Sequence, residues 1–225
     1  MKRLLLFIAI IPLLILSCNN KKKIVKKKPI SFTTAKKWAE TKIYYDNKTT
    51  FYCYCCYNTD KTIDKSYCGY SPRNDNTRAK RMEWEHIVPA ARFGKHRACW
   101  QQGRAFCRTN DMEFRAMESD LMNLVPSVGE LNADRSNRPF GEIPGEPREY
   151  GDCDFEVDFT RDVVEPDDSR KGDIARIYLY MYKKYPKGLP LTSGELAKFK
   201  QWSAEDPEDD WEIIRKQRII HAQGN

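Results

Sequence analysis

Apolar residues return at helical spacing in several stretches of the chain. Between Thr33 and Tyr44, Ala35, Trp38 and Ala39 share one face, and from Asp173 to Tyr185 the stripe is Ile174, Ile177, Tyr178, Met181 and Tyr185. Gly194–Trp202 and Trp211–Ala222 repeat the pattern, so the C-terminal part is expected to be largely helical, with these stripes facing a core. Three runs have strand character instead: Thr50–Tyr57, Met82–Val88 and Phe155–Phe159. Pro89 holds Val88 extended. Ser127-Val128-Gly129-Glu130 has the S-x-x-E form of a capping box and predicts a helix running to about Asn137, where Pro139 stops it. Residues 58–80, 94–111 and 138–169 read as loops rich in Gly, Pro, Asp or Arg. Strands set among helices predict an α+β fold, a mixed α/β single domain over residues 30–225. No repeat period is present.

The first residues follow a different pattern. Lys2-Arg3 precedes thirteen apolar residues, Leu4 to Leu16. A basic start and a short apolar run make a secretory signal over residues 1–17, too short for a comfortable span of about 20 residues. Ile15-Leu16-Ser17-Cys18 has the form of a lipobox, which makes Cys18 a lipid-attachment candidate; Leu16 is a loose fit, and an ordinary signal peptide is the alternative. Residues 18–29 then form a Lys-rich tether. The expectation is an exported protein, either a periplasmic or envelope lipoprotein or a secreted one, touching membrane only through that anchor.

Charge narrows the partners only after the leader is set aside. The chain has 39 Lys and Arg against 32 Asp and Glu. Eight of the basic residues lie before Pro29, which leaves 31 basic against 32 acidic in the rest. Global charge therefore carries no nucleic-acid argument, which must rest on a local patch. Residues 73–115 supply one, with ten basic against five acidic residues, Arg104 among the ten.

Seven cysteines follow Cys18: Cys53, Cys55, Cys56, Cys68, Cys99, Cys107 and Cys153. In an exported chain these are disulfide candidates first, and Cys53-Tyr54-Cys55-Cys56 has the wrong spacing for a zinc knuckle. Cys99 and Cys107 bracket a short loop, and a bridge there would fix where Arg104 points. An odd count leaves one thiol over.

Candidate chemistry centres on His86, one of three histidines. Glu85 beside it is an anionic oxygen donor, and Asn132 falls one turn into the predicted helix. An imidazole, a carboxylate and an amide oxygen can together hold a hydrated divalent ion and a general base. Neighbours on a regular strand face opposite ways, so Glu85 and His86 serve one site only if the strand ends or distorts there. Taken singly, each has an ordinary reading: His86 and Glu85 as a surface or core pair, Asn132 as a helix-surface amide, Arg104 as a solvated arginine, Glu118 as a helix-face charge.

Taken in order, the motifs resemble the bacterial endonuclease I family of exported nucleases, which are His-Me finger (ββα-metal) enzymes. The matching stretches are Cys68-Gly-Tyr70, Glu83-Trp-Glu-His-Ile-Val-Pro-Ala90, Cys99-Trp-Gln-Gln-Gly-Arg104 to Cys107, Met117-Glu-Ser-Asp120, Asn123 to Asn137, Tyr150-Gly-Asp-Cys153 and Gly172 to Arg176. The resemblance covers roughly residues 31–225. It implies a ββα finger in which His86 is the general base, Glu85 and Asn132 hold one Mg²⁺ (or Ca²⁺ or Mn²⁺), Arg104 braces the scissile phosphate and Glu118 stands near the metal. It implies a monomer that cuts DNA, and also RNA, with little sequence preference to 5′-phosphorylated products. The extra Cys56 and the lipobox depart from the family pattern. A non-catalytic lipoprotein that captures nucleic acid is the competing function. With ordinary imidazole titration, activity is expected to fall as the pH drops below the usual histidine range.

Overall fold

A computed structural model describes residues 28–145 and 147–224. The signal segment and Cys18 lie outside the described residues, and among those described no helix is long and apolar enough to cross a membrane. Chain order alternates short strands with helices, an α+β architecture. The elements that position the site are α1 (Phe32–Trp38), β3 (Met82–His86), α2 (Ala90–Gly94), α3 (Arg104–Asn110), α4 (Met112–Glu118), β4 (Leu124–Val128) and α5 (Gly129–Arg135). Two smaller antiparallel pairs, β1 (Cys56–Tyr57) with β2 (Ile63–Asp64) and β5 (Phe155–Asp158) with β6 (Val163–Pro166), complete the strands. Three C-terminal helices, α6 (Asp168–Lys184), α7 (Ser193–Glu205) and α8 (Asp210–Gln223), carry the stripes expected of them.

The centre of the molecule is the β3–β4 pair, antiparallel with His86 opposite Leu124 and Met82 opposite Val128. Every residue of β4 is buried. Two hydrophobic clusters account for this. Val125, Val128 and Met82 join the large cluster under α5 and α6, whereas Leu124 joins a smaller one built by Ala35, Ile43 and Tyr44 from α1 and its continuation, Leu121 from the 3-10 turn before β4 and Ile219 from α8. Trp84 packs against both. In chain order β3, β4 and α5 make a ββα unit with apolar material on both faces. Asn123 sets its edge: its side chain accepts from Val88 N at 2.7 Å and donates to Val88 O at 2.9 Å. The amide mimics one more strand residue and ends the ladder beside His86.

Four expectations change. Thr50–Tyr57 is not a continuous strand; residues 51–53 form a turn and only Cys56–Tyr57 pair. Cys53–Cys153 and Cys55–Cys68 tie the segment to distant parts of the chain, and Tyr54 between them takes a φ of +55°, which no strand accommodates. Residues 94–111 are not a loop but a 3-10 turn (Ala98–Gln102) and α3, stapled by Cys99–Cys107. Gly103, at φ +91°, makes the left-handed turn between them and lets α3 begin at Arg104. The capping box does not form. Ser127 belongs to β4, Val128 stands at the N-cap, and Glu130 turns away to accept from Tyr70 Oη at 2.6 Å and Asn74 N at 2.7 Å. The helix also ends at Arg135 rather than Asn137, where Ser136 takes a positive φ. The cysteine left over is Cys56, exposed and free.

Candidate active site

Glu85, His86, Arg104 and Asn132 line one cleft of about 500 Å³, with Phe32, Arg78, Glu83 and Trp84. The strand ends at His86, which allows the adjacent Glu85 and His86 to serve the same cleft. Glu118 is not among its lining residues. Its side chain is fully buried behind the wall, where it accepts from Arg104 Nε at 2.7 Å and from Arg108 Nε and Nη2 at 2.6 and 2.8 Å.

His86 is buried, and its Nε2 lies 2.8 Å from the backbone oxygen of Glu118. A carbonyl only accepts, so Nε2 carries the proton and Nδ1 is the ring's acceptor. Phe32 from α1 packs on the imidazole with ring centroids 5.0 Å apart. Burial, reinforced by the Arg104 charge, drives the His86 pKa down to about 4. Both effects disfavour the protonated ring.

Glu85 is buried on the other side. Arg135 Nη1 donates to its Oε1 at 3.1 Å and Tyr52 Oη approaches the same oxygen at 3.5 Å. Arg135, at the end of α5, also donates to the carbonyls of His86 and Ile87 at 2.9 and 2.6 Å. One guanidinium thus clamps the carboxylate and the strand end together. Burial, only partly opposed by Arg135 and the Tyr52 hydrogen bond, pushes the Glu85 pKa up to about 7. Its negative charge is under-compensated.

Glu83, on the same face of β3, shows the contrasting case. Arg78 Nε and Arg81 Nη2 donate to its Oε1 at 3.1 and 2.7 Å, and Asn132 Nδ2 donates to Oε2 at 3.1 Å. Burial raises its pKa, yet the arginines outweigh that and hold it below the usual carboxylate range. The contact also orients Asn132: with Nδ2 committed to Glu83, Oδ1 is the atom left as an acceptor. A buried, under-compensated carboxylate and an oriented amide oxygen on one cleft are hard oxygen donors that fit a divalent ion such as Mg²⁺. Among the described residues no group of three or more His, Cys, Asp or Glu gathers as a metal cluster. Any ion here would take one carboxylate, one amide oxygen and otherwise water.

The basic patch is largely neutralised. Arg78 and Arg81 pair with Glu83, Arg92 with Glu195, Arg97 with Asp111 and Glu113, and Arg104 and Arg108 with Glu118. Sequence reasoning missed Phe32, Glu83, Arg108 and Arg135. Phe32 leaves no local signal, since a lone aromatic on an amphipathic helix reads as core; its contacts with His86, Arg104 and Arg108 are purely tertiary. Arg135 could have been flagged as a basic residue in the last turn of the predicted helix.

Comparison with known proteins gives the family. Residues 17–225 match the family model described as Endonuclease I. An extracellular deoxyribonuclease of Aeromonas hydrophila is 45% identical over 189 residues, which cover 82% of this chain and 82% of the relative. Endonuclease-1 of Buchnera aphidicola subsp. Acyrthosiphon pisum (strain APS) is 39% identical over 210 residues, 92% of this chain and 83% of the relative. A periplasmic deoxyribonuclease of Aeromonas hydrophila is 42% identical over 188 residues, 82% and 78% of the two chains. The chain belongs to the endonuclease I family.

Proposed function

We propose that this protein is an exported, metal-dependent endonuclease that hydrolyses phosphodiester bonds of DNA, and of RNA, with little sequence preference. The observation that carries the reading is the convergence of His86, Glu85, Arg104 and Asn132 on one cleft, with Nε2 of His86 held by the Glu118 carbonyl and Nδ1 left as the ring's acceptor. The names of the relatives give the substrate class.

In this reading the β3–β4–α5 unit is the His-Me finger. Nδ1 of His86 takes the proton of a water molecule, while Nε2–H stays on the Glu118 carbonyl and fixes the tautomer. Glu85 and Asn132 Oδ1 would hold one divalent cation, Mg²⁺ before Ca²⁺ or Mn²⁺. When bound, that ion supplies charge stabilisation to the phosphate and the departing 3′ oxygen. The water oxygen bonds to phosphorus as the P–O3′ bond breaks, which leaves a 5′-phosphate and a 3′ oxyanion that takes its proton from solvent water to become the 3′-hydroxyl. Arg104 donates its remaining N–H groups to the non-bridging phosphate oxygens. Glu118 acts through Arg104 and is a positioning residue. Backbone-directed contacts carry no direct base information, in keeping with low sequence preference.

Three disulfides and the leader suit an oxidising compartment. Lipidation at Cys18 would tether the protein, as a monomer, to the envelope. Plasmid DNA with Mg²⁺ is the decisive assay. Nicks and then fragments are expected, chelation should stop them, and His86→Ala should lower the rate about 10²–10⁴-fold. A full rate in the variant or in chelator refutes the mechanism, and tight DNA binding without turnover supports the capture role instead.

A further inference from the structure

Three cations crowd one ring at the edge of the cleft. The guanidinium carbons of Arg104 and Arg108 stand 5.5 and 5.7 Å from the centre of the Phe32 ring, and the Lys36 ammonium stands 4.9 Å from it. Two helices bring them there. Phe32 and Lys36 are four residues apart on α1, as Arg104 and Arg108 are on α3, so each pair shares one helix face. Their charge is not balanced. Arg104 and Arg108 share a single carboxylate, Glu118, which is fully buried while both arginine side chains reach water. Glu118 holds Nε of Arg104 and Nε and Nη2 of Arg108, which leaves Nη1 of Arg108 free to donate. Lys36, half-buried, has no carboxylate within ion-pair distance among the described residues. Two positive charges are left over around one ring. The negative face of the ring offsets part of their repulsion, and an incoming anion would relieve the rest.

The excess continues away from the cleft. Arg115 on α4 donates Nε to the Pro29 carbonyl at 3.0 Å, and Lys28 beside it is exposed; neither has an ion-pair partner among the described residues. Lys26 and Lys27 come just before in the sequence, so the lysine-rich segment joins the folded domain at this end. A single small anion would need only one of these groups. A line of cations that starts at Arg104, inside the cleft, matches a polymer with a phosphate at every step. We propose that Lys36 and Nη1 of Arg108 form a second phosphate subsite over Phe32, which holds a backbone phosphate flanking the scissile one, and that Arg115 and Lys28 carry the same strand onward. The assignment rests on the nuclease reading and deepens it: Arg104 serves the phosphate that is cut, and Lys36 and Arg108 serve a neighbour that is not. Contacts of this kind fix the register of the strand without reading its bases.

The test uses the purified protein with Mg²⁺ and duplex DNA in which one neutral methylphosphonate linkage replaces a phosphate at successive positions, with the cuts mapped. In wild type, cleavage of a bond should fall about 2–5-fold when the neutral linkage lies at one fixed distance from it, the range for a partly exposed ion pair. Lys36→Met keeps an unbranched chain against the Phe32 ring and removes the charge. It should lose most of that sensitivity and flatten the dependence of log KM on log salt by about 0.9, one phosphate contact on a duplex. Lys36→Arg should restore both, which a loss of packing would not allow. Equal sensitivity in wild type and Lys36→Met, or an unaltered salt slope, overturns the subsite while ordinary cleavage keeps the nuclease reading. Phosphatidylglycerol vesicles that bind wild type but not Lys36→Met, with identical phosphonate maps, would give this surface to a membrane and overturn it as well. A protein that cuts no strand at all ends both readings.

Discussion

Two glutamates flank His86, and their surroundings are opposite. Glu118 on the α3–α4 side is held by two guanidiniums, and although burial works to raise its pKa, Arg108 and Arg104 keep it below the usual carboxylate range. Glu85 on the α5 side has one guanidinium, fully buried, and rises to about 7. Both side chains are almost completely removed from water. The difference is the number of cations, and in the proposed mechanism it separates two jobs. A saturated carboxylate is an anchor that aims Arg104 into the cleft. An unsaturated one has charge to offer a metal ion.

The largest effect should come from reversing that difference on the α5 side. Glu85→Gln keeps the shape and removes the charge. Mg²⁺ affinity, measured by calorimetry, should fall about 10–100-fold and nuclease activity at least as much, because a hard cation favours an anionic oxygen. Wild-type affinity in the variant would show that Glu85 is only the partner of Arg135. Glu118→Gln should act differently. Cation affinity stays within about 3-fold, while kcat falls about 10-fold or more as Arg104 loses its fixed aim. Glu118→Asp, which retains the charge, should recover part of that loss; equal damage by both would mark the site as mere packing.

A smaller effect is expected at Phe32, whose ring touches His86 and lies under Arg104 and Arg108. Phe32→Ala should reduce kcat up to about 10-fold with little change in KM, and Phe32→Tyr should restore it, since the ring contacts are worth about 0.5–1.5 kcal/mol. A change confined to KM would argue against positioning. The smallest effect is on stability. Glu118 has a depressed pKa in the folded chain, so its contribution is complete above the ordinary carboxylate pKa and is lost as the pH falls through the folded value. Urea titrations should show wild type losing stability on acidification with Glu118→Gln losing less, the difference being small because both arginine tips reach water. Parallel curves would remove Glu118 from the acid response.

Helices were legible wherever one face had to be apolar along a long segment; α6, α7 and α8 all form close to their expected places. The strand before Pro89 and the Cys99–Cys107 bridge were readable from the local sequence, although the segment between the two cysteines is helical rather than a loop. The run at Thr50 misled because β-propensity is outweighed by cross-links to Cys153 and Cys68, distant partners that no window contains. Ser127 misled because a capping box needs its serine outside any strand, and pairing of Glu83 with Ser127 takes it into one. In the site, residue types and order pointed to Glu85, His86, Arg104 and Asn132 on one cleft, and the fold brings them there.

What the sequence determined by itself was the list of chemical groups and the segments that carry them, because periodicity, caps and charge are local properties of the chain. What only the tertiary structure decided was the state of those groups: which imidazole nitrogen is protonated, which carboxylate is saturated, which arginines are paired. Those states follow from burial and from neighbours tens of residues away, such as Arg135 on Glu85, at a sequence separation of 50, and Phe32 on His86. Electrostatic free energy depends on distance and solvent in space, and neither is written along the chain.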